Sequence, residues 1–165
     1  MTDSSSRRPA MNSDERLSRS RLLLGDKVME RLSQTRVIIF GVGGVGSWAA
    51  EALVRTGLTH LTIVDGDSVA PSNINRQRPA TVNTVGELKV DALKKQLLLV
   101  NPDAQITAIP RLYTALTACE FNLPDYDYVI DAIDSLDCKA HLILNVTRLK
   151  GVKLFFSMGA ALLFE

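Results

Sequence analysis

Short apolar runs recur along the chain, each followed by a longer segment with apolar positions at helical spacing, and this alternation predicts β-strands joined by α-helices. Strands are expected at Arg36 to Gly41, Leu61 to Asp65, Gln105 to Pro110, Tyr128 to Ala132 and Lys153 to Ser157. Helices are expected at Ser47 to Thr56, Gly86 to Val100 and Ser135 to Lys150, with Gly57 as a stop signal and a looser stretch running to Leu123. Strands separated by helices need crossovers, so the fold class is α/β: a Rossmann-like, mainly parallel sheet with helices on both faces. Two short helices, from Ser13 through Leu17 and from Gly25 to Leu32, precede the first strand and are expected to cover a sheet edge. Residues 1–13 carry almost no large apolar side chain and read as a flexible tail. The segment 14–35 is then an N-terminal helical unit, and 36–165 a single α/β domain.

Composition narrows the class. With 165 residues, 46% of them apolar, the chain is long enough for one globular core. No apolar run approaches the roughly 20 residues of a membrane helix, and the polar, arginine-bearing start is unlike a signal peptide, so the expectation is a cytoplasmic protein with no membrane association. The net charge of +1 excludes a global basic field, although Arg7, Arg8, Arg16, Arg19 and Arg21 make the leading segment locally basic. Cys119 and Cys138 stand far apart, which supports neither a disulfide framework nor a structural zinc site.

The chemistry concentrates at strand ends. Gly41, Gly43, Gly44 and Gly46 form a strand-to-helix turn of the G-x-G-x-x-G kind with one extra glycine, which suits a phosphate at a helix N-terminus. Asp65, ending the second strand, stands where this fold places an acid on ribose hydroxyls; Asp67 reads as a turn residue. The loop Ser72-Asn73-Ile74-Asn75-Arg76-Gln77-Arg78 is denser in Asn and Arg than a dinucleotide needs, and suits a ligand with more than two phosphates. Lys89, in the first turn of the next helix, adds a point charge, and a solvated surface lysine is the plainer alternative. Asp131-Ala132-Ile133-Asp134-Ser135 puts two carboxylates beyond the fourth strand, where a magnesium ion fits; helix capping by Asp134 or Ser135 is the alternative. Together the glycine turn, Asp65, Arg76, Lys89 and Asp134 describe a site for ATP and Mg²⁺.

From about Glu15 onward the chain resembles the E1-like adenylating enzymes, the superfamily of ubiquitin activators and bacterial sulfur-carrier adenylyltransferases. Gly44 to Gly57, Asn75-Arg76-Gln77, Val100-Asn101-Pro102 and Val129 to Ser135 look like the branch of tRNA threonylcarbamoyladenosine dehydratases. That resemblance implies that Gly44 contacts the nucleotide, Asp65 the ribose, Ser72 to Arg76 and Lys89 the phosphates, and Asp134 the magnesium ion. It implies a homodimer in which an N-terminal arginine reaches the partner's ATP. Arg16-Leu17-Ser18-Arg19 resembles that R-x-x-R element and nominates Arg19, with Leu17 and Ser20 where an aromatic and a glutamine are common. The implied reaction is attack of a carboxylate on the α-phosphate of ATP, followed by ring closure in the threonylcarbamoyl group at tRNA position 37, with loss of water overall.

Three other readings stay open. An adenylyltransferase acting on a ubiquitin-like sulfur carrier, with a sulfur-carrier or cysteine desulfurase-type partner, shares the same ATP residues. A nicotinamide-dependent dehydrogenase is permitted by the glycine turn but does not need the Asn73 to Arg78 loop. The apolar ending Ala160 to Glu165 leads to the expectation of a C-terminally truncated product, and so of a non-catalytic ATP-binding domain.

Overall fold

Val37, Ile38, Ile39 and Phe40 are all buried, so this strand shows apolar side chains to both faces and belongs at the centre of a covered sheet. The computed structural model of the chain describes residues 13–158 and places it there. Of the tail expected over residues 1–13 only Ser13 is among the described residues, and the segment Ala160 to Glu165 lies outside them.

The strands are β1 (Arg36–Phe40), β2 (His60–Val64), β3 (Gln105–Ile109), β4 (Tyr128–Asp131) and β5 (Lys153–Phe156). They pair in parallel throughout, in the order β3-β2-β1-β4-β5. Among the described residues the helices are α1 (Ser13–Arg16), α2 (Ser18–Leu24), α3 (Asp26–Gln34), α4 (Gly46–Thr56), α5 (Lys89–Val100) and α6 (Leu136–Thr147). Ala50 and Val54 of α4 and Val90, Leu93 and Leu97 of α5 pack with Val37, Ile39, Leu61 and Ile63 on one face. Leu142 and Val146 of α6 pack with Ile38, Phe40, Val64 and Val129 on the other, beside a T-shaped pair of Phe40 and Tyr113 rings 4.9 Å apart. Both faces are therefore covered, as the alternation of elements requires.

The chain reverses its direction of travel across the sheet at β1, which lies between β2 and β4. The segments that follow β1 and β4 line a crevice there, the usual ligand position in open α/β sheets. On the far side β5 is the outer described strand, with Phe155 and Phe156 exposed on it.

Three N-terminal helices stand where two were expected, because the backbone leaves helical geometry at Leu17, with φ of −101° and ψ of 4°, and a separate α2 follows it; Gly25, with φ of +77°, then closes α2 through its amide on the Arg21 carbonyl. Helix α5 starts at Lys89 rather than Gly86, since Gly86 has φ of +89° and Leu88 is extended. Arg16 anchors the N-terminal unit to the chain after α5, with its guanidinium on Asn101 Oδ1 at 3.1 Å and on the Asp103 carboxylate.

Candidate functional site

Two glycines of the turn after β1 are demanded by the backbone. Gly41 has φ of +85°, and a Cβ on it would lie 2.6 Å from the Ala132 carbonyl oxygen; on Gly46 a Cβ would lie 1.9 Å from the Gly41 oxygen. A side chain at either would force β1, β4 and α4 apart. Gly43 and Gly44 have room for a Cβ, with their nearest neighbours being Gln77 at 3.7 Å and Arg76 at 3.8 Å, so these two present bare backbone to the crevice. Ser47, fully buried, closes the turn by donating to the Gly43 carbonyl at 2.5 Å.

Asp65 braces the turn against the end of β2. One carboxylate oxygen accepts the Val42 amide at 2.8 Å, and the other accepts the Asp67 amide at 2.9 Å. Asp67 sits in the turn that Asp65 closes, and its carboxylate also holds Lys89 Nζ at 2.7 Å. Lys89 is only 6% exposed, so it is not the solvated surface lysine of the alternative reading. Its charge sits at the first residue of α5 and on the wall of the crevice.

The crevice is a cavity of about 690 Å³. Gly41, Gly43, Gly44, Asp65, Arg76, Lys89, Asp134 and Ser135 all line it, so five separate stretches of the chain converge. Gly46 supports it from behind. Ser72, Asn73 and Asn75 do not reach its wall, and instead build the loop. Asn73 Oδ1 caps the Ala70 amide at 3.0 Å, while the Ser72 carbonyl and Asn75 Oδ1 each accept from Arg76 Nη1 at 2.9 Å. Arg19 is exposed on α2 and lies outside the cavity lining.

The two carboxylates placed beyond the fourth strand separate: Asp131 is the last residue of β4, and Asp134 follows it in the loop. Asp131 is fully buried, accepting the Ile133 amide at 3.0 Å and pairing with Lys139 Nζ at 2.8 Å. Only Asp134 opens onto the cavity; Ser135, at the N-cap position of α6, makes no side-chain capping bond. No group of three or more His, Cys, Asp or Glu side chains suited to a metal occurs among the described residues.

Several wall residues carried no signal in the sequence. Arg111, Leu112, Tyr113 and Thr114 follow β3 and close one side, with Leu112 folded so closely over Gly66 that a Cβ there would lie 2.7 Å from Leu112 Cγ. The rule that loops after parallel strands meet at the ligand would have nominated them. Tyr113 Oη accepts from Asn145 at 2.9 Å and lies 3.1 Å from His141 Nδ1, and burial pushes its hydroxyl pKa up, so it stays protonated. Gln77, 8% exposed, lines the cavity with its Oε1 unpaired. Cys138 is a half-buried free thiol on the wall.

Fold and site together define a Rossmann-like α/β domain with a glycine turn, an acid and two cationic side chains gathered at its topological switch point. The chain belongs to the ThiF family, whose sequence profile matches residues 17–162. It is 42% identical over 144 residues to a tRNA threonylcarbamoyladenosine dehydratase of Bacillus subtilis, covering 87% of this chain and 56% of that protein. The Escherichia coli protein of the same name is 38% identical over 128 residues, covering 78% of this chain and 48% of the other. The crystal structure of E. coli tRNA N6-threonylcarbamoyladenosine dehydratase in complex with ATP superposes with a TM-score of 0.86 at 34% identity, covering 92% of this chain and 62% of that one. The chain thus spans about half the length of the curated relatives it matches.

No described helix is long and apolar enough to cross a membrane.

Proposed function

We propose that the crevice binds ATP with Mg²⁺ and that the domain adenylates a carboxylate, with the threonylcarbamoyl group of tRNA position 37 as the substrate. The observation that carries this reading is the convergence of Gly43, Gly44, Asp65, Arg76, Lys89 and Asp134 on one cavity at the switch point. It is supported by the name shared by the Bacillus and E. coli relatives and by the ATP complex of the E. coli structure.

In this reading the bare backbone at Gly43 and Gly44 admits the phosphates to the N-terminus of α4. Asp65 keeps lone pairs for the ribose hydroxyls after accepting its two amides. Arg76 and Lys89 offset the charge that grows on the phosphates as the substrate carboxylate oxygen bonds to the α-phosphorus and the bond to pyrophosphate breaks. Lys89 exchanges its Asp67 partner for phosphate in doing so. Asp134 holds the magnesium ion, which supplies Lewis-acid stabilisation when bound. Attack of a nucleophile within the same substrate on the acyl carbon then expels AMP and closes a ring. The domain works in the cytoplasm as a homodimer, with Arg19 reaching the partner's nucleotide.

The test is a nucleoside digest of threonylcarbamoyladenosine-bearing tRNA after incubation with protein, ATP and magnesium. Conversion to a product lighter by one water, with AMP and pyrophosphate formed in step, is expected. Adenylate formation that depends on a ubiquitin-like sulfur carrier and ignores tRNA would overturn the choice of substrate.

A further inference from the structure

Arg78 stands two residues from Arg76 in the same loop, yet it turns away from the cavity and into the protein. The Glu51 carboxylate of α4 receives Arg78 Nε on one oxygen and Arg55 on the other, with Arg55 Nη2 at 2.6 Å. Arg78 Nη1 donates to Gln96 of α5 at 2.7 Å, and its guanidinium lies over the Trp48 ring, 6.0 Å from the centroid. The backbone on either side is held by the same helix. The Trp48 indole N–H donates to the Arg76 carbonyl at 3.1 Å, and Ser47 Oγ accepts the Arg78 amide at 3.1 Å. Ser47, Trp48 and Glu51 lie on the first two turns of the helix that begins at the glycine turn.

We propose that Glu51, acting through Arg78 and with Trp48, is a positioning residue that fixes the loop carrying Arg76, so that the Arg76 side-chain stem lies against Gly44 of the glycine turn and its head faces the cavity. A carboxylate only 7% exposed is costly to bury unless its partners are well placed, and an apolar side chain would brace α4 as well. What an apolar residue could not do is grip a guanidinium from the neighbouring loop with a charge-assisted bond. Arg55 serves to balance the second oxygen. The chain holds a single tryptophan, so Trp48 reports on this clamp directly.

The inference rests on the ATP reading, and its test separates the two. Affinities for ATP and for adenosine are measured on wild type, Glu51→Gln, Arg78→Gln, the double variant and Arg55→Gln. A clamp aimed at phosphates is expected to lose roughly tenfold in ATP affinity in Glu51→Gln while adenosine binding stays within about twofold. The double variant loses no more than the worse single one, since both break one link. Arg55→Gln, which leaves the link to Arg78 in place, keeps wild-type ATP affinity. Equal losses for ATP and adenosine, or no loss for either, would overturn the proposal. Should the wild-type chain bind no ATP, the ATP reading falls on its own. The clamp is then decided in the unliganded protein: Glu51→Gln is expected to speed amide exchange at Arg78 and shift Trp48 emission, and unchanged exchange and emission overturn it.

Discussion

Lys139 extends from α6 back under the end of β4 to reach Asp131, and both charges are shut away from water. Removing one partner strands the other, so Lys139→Met is expected to cost about 3–5 kcal/mol in urea unfolding. Asp134, three residues on and exposed at the cavity, gives the opposite pattern: Asp134→Asn leaves the unfolding midpoint near wild type and lowers magnesium-dependent ATP affinity. Residue type and spacing do not tell these carboxylates apart, and only the family resemblance singles out Asp134, because what separates them physically is a lysine arriving from the next helix. Lys89 has a partner of a different kind. Asp67 is more than half exposed, which screens the pair, so Asp67→Asn is expected to cost only about 1 kcal/mol, or roughly 2–4 °C in melting temperature. Saturating ATP should recover most of that loss, since phosphate replaces the missing charge. A melting temperature that ATP leaves unchanged would remove Lys89 from the phosphate site.

Among the elements, α4 does more than cover the sheet, because its first turns hold the loop that carries Arg76. Burial pushes the Glu51 carboxyl up, but hydrogen bonds and positive charge from Arg78 and Arg55 outweigh it and hold its pKa below the ordinary 4.5. A lowered folded pKa means that the stability from this group is complete above the unfolded value and is lost as pH falls through the folded one. Unfolding experiments on wild type and Glu51→Gln should therefore show a larger loss between neutral pH and about pH 3 in the wild type. Equal losses would mean that the arginines do not bind Glu51 in solution. The strands and α4 were legible because their apolar periods are local properties of the chain. The loops were not. Residues 110–114 are shaped by the packing of Leu112 on Gly66, and residues 71–78 by bonds to α4, contacts between positions far apart in sequence. Asn73 and Asn75 read in the sequence as amides suited to phosphate, and in the fold they shape the turn that presents Arg76.

At the scale of the whole molecule, a five-stranded parallel sheet brings the ends of β1, β2 and β4 and the start of α5 to a single cavity. Glycine turns of this kind serve many nucleotides, and what sets this one apart is the cationic loop and lysine that a dinucleotide would not require. The ligand is thus the claim on which the proposed chemistry rests. Calorimetric titration of the chain with ATP and magnesium, beside NAD and beside the Arg76→Ala variant, addresses it most directly. ATP is expected to bind where NAD does not, with affinity falling at least about tenfold in Arg76→Ala. Preference for NAD, or an ATP affinity indifferent to loss of Arg76, would contradict the account.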